Sequence, residues 1–231
     1  MIQVFKPHMD EEEIEAVAKV LRSGWLGLGP KTAEFEKAFA AYIGSASAVG
    51  VNSCTAALDL ALKLLGVTHN HEVIVPCMTF VSTAHVVAYN LATPVFADVD
   101  ADTLNIKLQD VADKITPRTR AIMPVHLNGR TCVMDPIVEL AREHDLLIIE
   151  DAAQALGSKY KGRFAGTFGI AAAISFYPAK ILGCFGDGGA VVTNDDEVAR
   201  TIRLLRDHGR NDQGDVEFWG MNSRLDNLQA A

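Results

Sequence analysis

The feature that most constrains this chain is a 44-residue stretch, Leu146 to Gly189, reading LLIIEDAAQALGSKYKGRFAGTFGIAAAISFYPAKILGCFGDGG. It holds two short apolar runs, each ending abruptly in polar residues. Leu146 to Ile149 runs into Glu150 and Asp151. Ile170 to Phe176 runs into Tyr177-Pro178-Ala179-Lys180 and then a glycine-rich tail. Runs of four to eight apolar residues between polar or Gly/Pro signals read as strands buried on both faces. In an open α/β sheet, the polar residues just past the carboxyl ends of such strands line the ligand crevice. Asp151, Gln154, Ser175 and Lys180 are therefore expected to converge on one pocket.

Taken singly, each of these residues has a plain structural role: Asp151 as a helix cap, Lys180 as a solvated cation, Ser175 as a strand serine. Taken together they supply an acid, an amide, a hydroxyl and an amine at the ends of neighbouring strands. A ligand with an aldehyde, a phosphate and a basic ring nitrogen uses all four. The amine condenses with the aldehyde, and the acid keeps the ring nitrogen protonated. Pyridoxal 5'-phosphate has that chemistry.

The rest of the chain fits one helix-covered sheet. Asp10 precedes a helix over EEEIEAVAKVLRS that Gly24 stops, with acids in its first turn. A second amphipathic helix carries Phe35, Ala38, Phe39 and Tyr42 and ends at Gly44. Strands are predicted at Ser47–Val51, Val73–Val75, Pro94–Val99, Arg120–Val125 and Ala190–Thr193. Helices are predicted from Thr55, over Val81–Tyr89, Leu108–Ile115 and Pro136–His144, and over Asp195–His208. Strands alternating with helices imply a largely parallel sheet with helices on both faces. Arg200, Arg203 and Arg206 read as a solvated face of the last helix, and Asn222 to Ala231 as the start of another. His126, at a strand end, is expected to be a satisfied structural histidine beside the pocket.

Composition narrows the function. A net charge of -8 and the lack of any Lys/Arg-rich run argue against a nucleic-acid surface. Four cysteines without C-x-x-C or metal-ligand spacing point to free thiols and no metal site. The N-terminus lacks the order of a signal peptide, and no apolar run approaches a membrane span. These observations predict a soluble, cytoplasmic protein.

Several segments, in order, resemble the sugar-nucleotide aminotransferases of the DegT/StrS type, a branch of the fold-type I pyridoxal-phosphate enzymes. They are Asn52-Ser53-Cys54-Thr55, Pro76-Cys77-Met78-Thr79-Phe80, Asp151-Ala152-Ala153-Gln154, Ser175 through Lys180, and Gly186-Asp187-Gly188-Gly189. The resemblance covers essentially the whole chain. It implies a three-layer αβα large domain over residues 1–231, with a small C-terminal domain expected beyond 231.

The resemblance also implies roles. Lys180 would carry pyridoxal 5'-phosphate, with pyridoxamine 5'-phosphate as the amine-loaded form, and Asp151 would meet the ring nitrogen. Gln154 would meet the phenolic oxygen, Phe80 would cover the ring, and Ser53, Cys54, Thr55 and Ser175 would hold the phosphate. Trp25 would sit beside a sugar-nucleotide site. Asn222 and Arg224 would reach across a homodimer to the neighbour's phosphate and an anionic substrate group, so that active sites are shared. The substrates implied are an amino-acid donor such as L-glutamate and a keto-sugar nucleotide.

Two departures stand out. Cys54 replaces the usual glycine, and Phe185 replaces a smaller residue. Related deoxysugar dehydratases carry histidine at the Lys180 position, so Lys180 speaks against that activity. A catalytically silent binding homologue is the other alternative.

Overall fold

The computed structural model describes residue 2 and residues 5–231. Helix α1 (Glu11–Ser23) begins at a complete capping box: Asp10 Oδ1 accepts from Glu12 and Glu13 N–H, and Glu13 returns a bond to Asp10 N–H. Gly24 ends it in the left-handed region, as its position predicts. There follow α2 (Pro30–Ile43), β1 (Ser47–Val51), α3 (Cys54–Leu64), β2 (Glu72–Pro76), α4 (Ser82–Tyr89), β3 (Thr93–Ala97), α5 (Leu108–Asp113) and β4 (Thr119–Ile122). The chain continues through α6 (Met134–Glu143), β5 (Leu147–Asp151), a two-stranded hairpin of β6 (Lys159–Tyr160) and β7 (Arg163–Phe164), β8 (Ala171–Ser175), β9 (Gly189–Thr193), α7 (Asp196–Leu205) and α8 (Asn227–Ala230).

Seven strands form one sheet in the order β1-β9-β8-β5-β4-β2-β3. Its neighbours pair in parallel except β9, which runs antiparallel to both β1 and β8. The period-2 alternation of strand side chains divides the core into two layers. Val49, Val75, Met123, Ile149, Ala173 and Val191 pack with α3, α4 and α7 on one face. On the other face Ala48, Ala172, Ile174 and Val192 pack with α2, while Ile74, Ile122 and Ile148 pack with α5 and α6. This is the expected three-layer α/β arrangement.

Three sequence expectations are corrected. Strand β5 does not stop at Ile149 but carries both acids, because Glu150 and Asp151 pair with Ala172 and Ala173 of β8. The terminal segment is not helical from Asn222: it is extended and bridged, Asp207 to Asn222 and Val51 to Arg224, and only α8 is helix. Arg206 is not on a solvated face; it is buried against Glu36. Among the described residues no helix is long and apolar enough to cross a membrane.

Candidate active site

The carboxyl ends of β1, β2, β5 and β8 point the same way, and the antiparallel β9 starts among them. A cavity of about 520 Å³ opens there. It is lined by Ser53, Cys54 and Thr55 after β1, Phe80 after β2, Asp151 at the end of β5 with Gln154 beyond it, and Ser175 at the end of β8 with Lys180 beyond it. Every pocket residue expected from the strand ends is therefore present in one place. A more open cavity of about 410 Å³ lies at the amino ends of β4 and β5, but among its lining residues there is neither a carboxylate nor an amine.

The β1–α3 joint offers an anion site. Ser53 is the N-cap in extended geometry, and its Oγ accepts from Ala56 N–H at 3.1 Å. Thr55 Oγ1 donates to Ser82 Oγ at 2.8 Å. An 11-residue helix leaves first-turn N–H groups and a positive dipole end toward the cavity. Cys54 takes the place of a glycine without strain, since it is absent from the described non-glycine residues with positive φ. Burial, followed by the charge of Asp151, pushes its thiol well above the ordinary value and so favours the protonated form.

Gly189 is required here. A Cβ would lie 2.5 Å from Ser53 C, 2.6 Å from Cys54 N and 2.8 Å from Ile174 O, all backbone atoms.

Asp151 is 5% exposed. Its Oδ2 accepts from Thr83 Oγ1 at 2.8 Å and its Oδ1 from Ala153 N–H at 3.2 Å. Burial pushes the carboxyl up from its usual range, and these two donors pull against that push. Gln154 Oε1 accepts from Asn128 N–H at 2.7 Å. With its oxygen engaged, the amide has its NH₂ left as a donor for the cavity. Asn128 is in the left-handed conformation, φ 53°, which asparagine tolerates. Ser175 is buried, and its Oγ accepts from Tyr177 N–H at 3.3 Å. Lys180, half-buried, ends a turn in which its N–H donates to Tyr177 O at 2.8 Å. Phe80 is 69% exposed and lines the cavity.

Three expected site residues do not line this cavity. Trp25 is 58% exposed, and its Nε1 donates to Leu28 O at 2.9 Å. Asn222 is exposed, and Arg224 donates to Asp207 Oδ1 at 2.8 Å. Sequence reasoning missed Ser82, Tyr177 and Thr83, whose hydroxyls look like any others on a helix or loop.

His126 is fully buried; its Nδ1 accepts from Cys132 N–H at 3.1 Å and its Nε2 pairs with Glu150 Oε2 at 2.8 Å, as a satisfied structural histidine would. His8, Asp10 and Glu13 form the one cluster of potential metal ligands found among the described residues. It is exposed, and Asp10 and Glu13 are already used in capping α1.

Residues 7–231 match the model of the DegT/DnrJ/EryC1/StrS aminotransferase family. The chain is 50% identical over 216 residues to dTDP-3-amino-3,4,6-trideoxy-alpha-D-glucose transaminase from Streptomyces venezuelae, covering 94% of this chain and 57% of the relative. It is 44% identical over 235 residues to GDP-perosamine synthase from Caulobacter vibrioides, covering 100% of this chain and 62% of the relative. A Streptococcus pneumoniae protein solved in its PLP-form superposes with a TM-score of 0.94 at 31% identity, over 99% of this chain and 64% of that one; it has also been solved in a PMP-form. The chain thus spans about three-fifths of the length of the proteins it matches. A match that runs through all the strands framing the cavity, joined to identities near one half, establishes that this chain belongs to the DegT/DnrJ/EryC1/StrS aminotransferase family.

Proposed function

We propose that the protein is a pyridoxal-phosphate-dependent aminotransferase that takes nitrogen from an amino acid, glutamate foremost, and delivers it to a keto-sugar nucleotide. One observation carries the reading: a buried acid, Asp151, and an amine, Lys180, line the same cavity as the amino end of α3. That donor set matches the three polar ends of the cofactor. The carboxylate suits a cationic ring nitrogen, the helix end with Ser53, Thr55 and Ser175 suits a phosphate, and the amine suits an aldehyde. The names of the two curated relatives, a transaminase and a synthase of nucleotide-linked sugars, favour the same substrate class.

When bound, pyridoxal phosphate supplies an aldehyde that takes up nitrogen and a ring that stabilises negative charge. The chain's own residues do the rest. Asp151 would hold the ring nitrogen, Gln154 Nε2 would donate to the phenolic oxygen, and Phe80 would lie against the ring. Lys180 Nζ would hold the cofactor at its aldehyde end and, when free, would accept and return a proton at its own nitrogen. Such positioned general acid–base transfer contributes about 10²–10⁴-fold.

Residues 1–231 correspond in this reading to the large, cofactor-binding domain. Asn222, Arg224 and Trp25 lie outside the cavity of their own chain. The family resemblance favours a homodimer in which Asn222 and Arg224 serve a neighbouring copy.

The test is reconstitution of the full-length protein with pyridoxal phosphate. We expect a yellow form that glutamate bleaches, and a borohydride-fixed adduct located on Lys180 by mass spectrometry. Lys180→Ala should lower nitrogen transfer to keto-sugar nucleotides by about 10²–10⁴-fold or more while the fold persists. An adduct on another residue, or near-native transfer by Lys180→Ala, would overturn the reading.

A further inference from the structure

The two oxygens of the Asp151 carboxylate are held differently. Oδ1 is bonded locally, by the N–H two residues on. Oδ2 is bonded by a side chain 68 residues away, Thr83 Oγ1, at 2.8 Å. Thr83 is fully buried in the first turn of α4 and is not among the residues lining the cavity. Its hydroxyl also lies 2.7 Å from Thr79 Oγ1, and Thr79 is half-buried.

Proton accounting orders this chain of hydroxyls. A hydroxyl has one proton to give, and an ionised carboxylate can only accept. Thr83 therefore gives its proton to Asp151 and accepts one from Thr79. Were Asp151 protonated, it could donate to Thr83 and the order would reverse. The direction of the Thr79–Thr83–Asp151 chain is tied to the charge on the acid. The same five-residue segment places Phe80 on the cavity and bonds Ser82 to Thr55, so it braces both the acid end and the helix end of the site.

We propose that Thr83 is a positioning residue of this site: oriented by Thr79, its hydroxyl keeps the Asp151 carboxylate ionised and directed at a cationic ring nitrogen. The inference rests on the cofactor reading above and assigns a role to residues that reading does not use. Burial opposes the charge on Asp151, and Thr83 is the leading influence against burial. The other groups bearing on the carboxylate are His126 and Lys180, which favour the anion when protonated, Cys54 and Asp187 at the cavity, and Glu150 beside it in the strand. Removing the Thr83 hydroxyl strips one donor from a buried anion and favours the acid form.

The experiment follows Asp151 directly in the cofactor-free protein, by NMR titration of 13C-carboxyl-labelled aspartate, with Asp151→Asn identifying the signal. T83V should raise the proton affinity of Asp151 by about tenfold or more, and T83S should restore it to near native. T79V, at a half-buried side chain, should shift it in the same direction by a smaller factor, and supplies the answer if T83V does not fold. In parallel, T83V should bind pyridoxal phosphate about tenfold more weakly than native, with T83S near native. A native titration midpoint in T83V, or equal shifts in T83V and T83S, would overturn the proposal. Failure of the native protein to bind pyridoxal phosphate at Lys180 would instead sink the cofactor reading, and the titration would still decide whether Thr83 holds the charge of Asp151.

Discussion

Glu150 and Asp151 are adjacent acids in one buried strand, and strand alternation sends them to opposite faces of the sheet. Four donors converge on Glu150: His126 Nε2 at 2.8 Å and the N–H groups of Gly166, Phe168 and Gly169 at 2.8, 2.6 and 2.7 Å. An ionised carboxylate has about four acceptor positions, so Glu150 is saturated. Asp151 has two donors and faces the cavity, which leaves it capacity for a ligand's proton. The two residues should therefore fail differently. Glu150→Gln turns an NH₂ toward backbone donors and should cost about 2–3 kcal/mol in urea unfolding. Asp151→Asn should abolish tight pyridoxal phosphate binding, measured by absorbance, with a smaller change in stability.

The pH dependence of Asp151→Asn has a definite sign. Burial raises the folded Asp151 above its unfolded value, so the folded protein holds this proton more tightly. Its contribution to stability is full below the ordinary carboxylate range and is lost as pH rises through the raised value. The native cofactor-free protein should thus lose stability relative to Asp151→Asn as pH rises through that window. Parallel unfolding curves at all pH values would contradict this. Asp151 was legible in the sequence because it closes an apolar run; which of two adjacent acids is saturated was not, since three of the donors to Glu150 come from a loop 16 to 19 residues on and the fourth from His126, 24 residues back.

At the scale of elements, the site depends on how closely β9 passes the start of α3. Only a residue without Cβ fits at position 189, because the atoms it would meet are backbone and cannot turn aside. Gly189→Ala should cost about 3 kcal/mol or more and weaken pyridoxal phosphate binding in step, by parting β9 from the helix end. In the cofactor-free protein Ser53→Ala removes only the cap bond and should cost about 1 kcal/mol of stability. Equal losses from the two would place the effect in the cap and not in the close approach.

Most strands and helices were legible to within a residue or two, because hydrophobic periodicity and Gly stops mark them. The β6–β7 hairpin was not, since two-residue strands leave no periodic signal. Its turn, with Lys161 at φ 49° and Gly162 at φ 83°, is of the twisted kind that hairpins prefer, but Lys-Gly is a weak marker of it. Nor did the sequence disclose that β5 runs on through two acids, because that extension is decided by pairing with β8.

At the scale of the whole molecule, the sheet has to close off its β1 edge, where backbone groups would otherwise stand unpaired. Two side chains from opposite faces do so. Glu36 of α2 accepts from Gly50 N–H at 2.8 Å, and Arg206, just past α7, donates to Gly50 O at 2.6 Å. The two side chains are ion-paired with each other across a sequence separation of 170 residues. The terminal segment extends the seal, with Asn52 N–H donating to Ser223 O and Ser223 N–H to Arg206 O.

A pair this remote in sequence explains why Arg206 read as one of three solvated arginines. Arg200 does behave that way, meeting Glu197 and Glu217 at the surface, but α7 ends at Leu205 and Arg206 turns inward. A buried charge stripped of its partner costs far more than the pair contributes, about 3–5 kcal/mol. Glu36→Leu and Arg206→Met should each lower unfolding stability by about that much, whereas the double variant should lose less than either alone because no bare charge remains. The double variant should not recover fully, since Gly50 would still lack both partners at the sheet edge. Additive losses in the double variant would show that the two residues seal the edge independently, and that the ion pair does not couple the faces of the sheet.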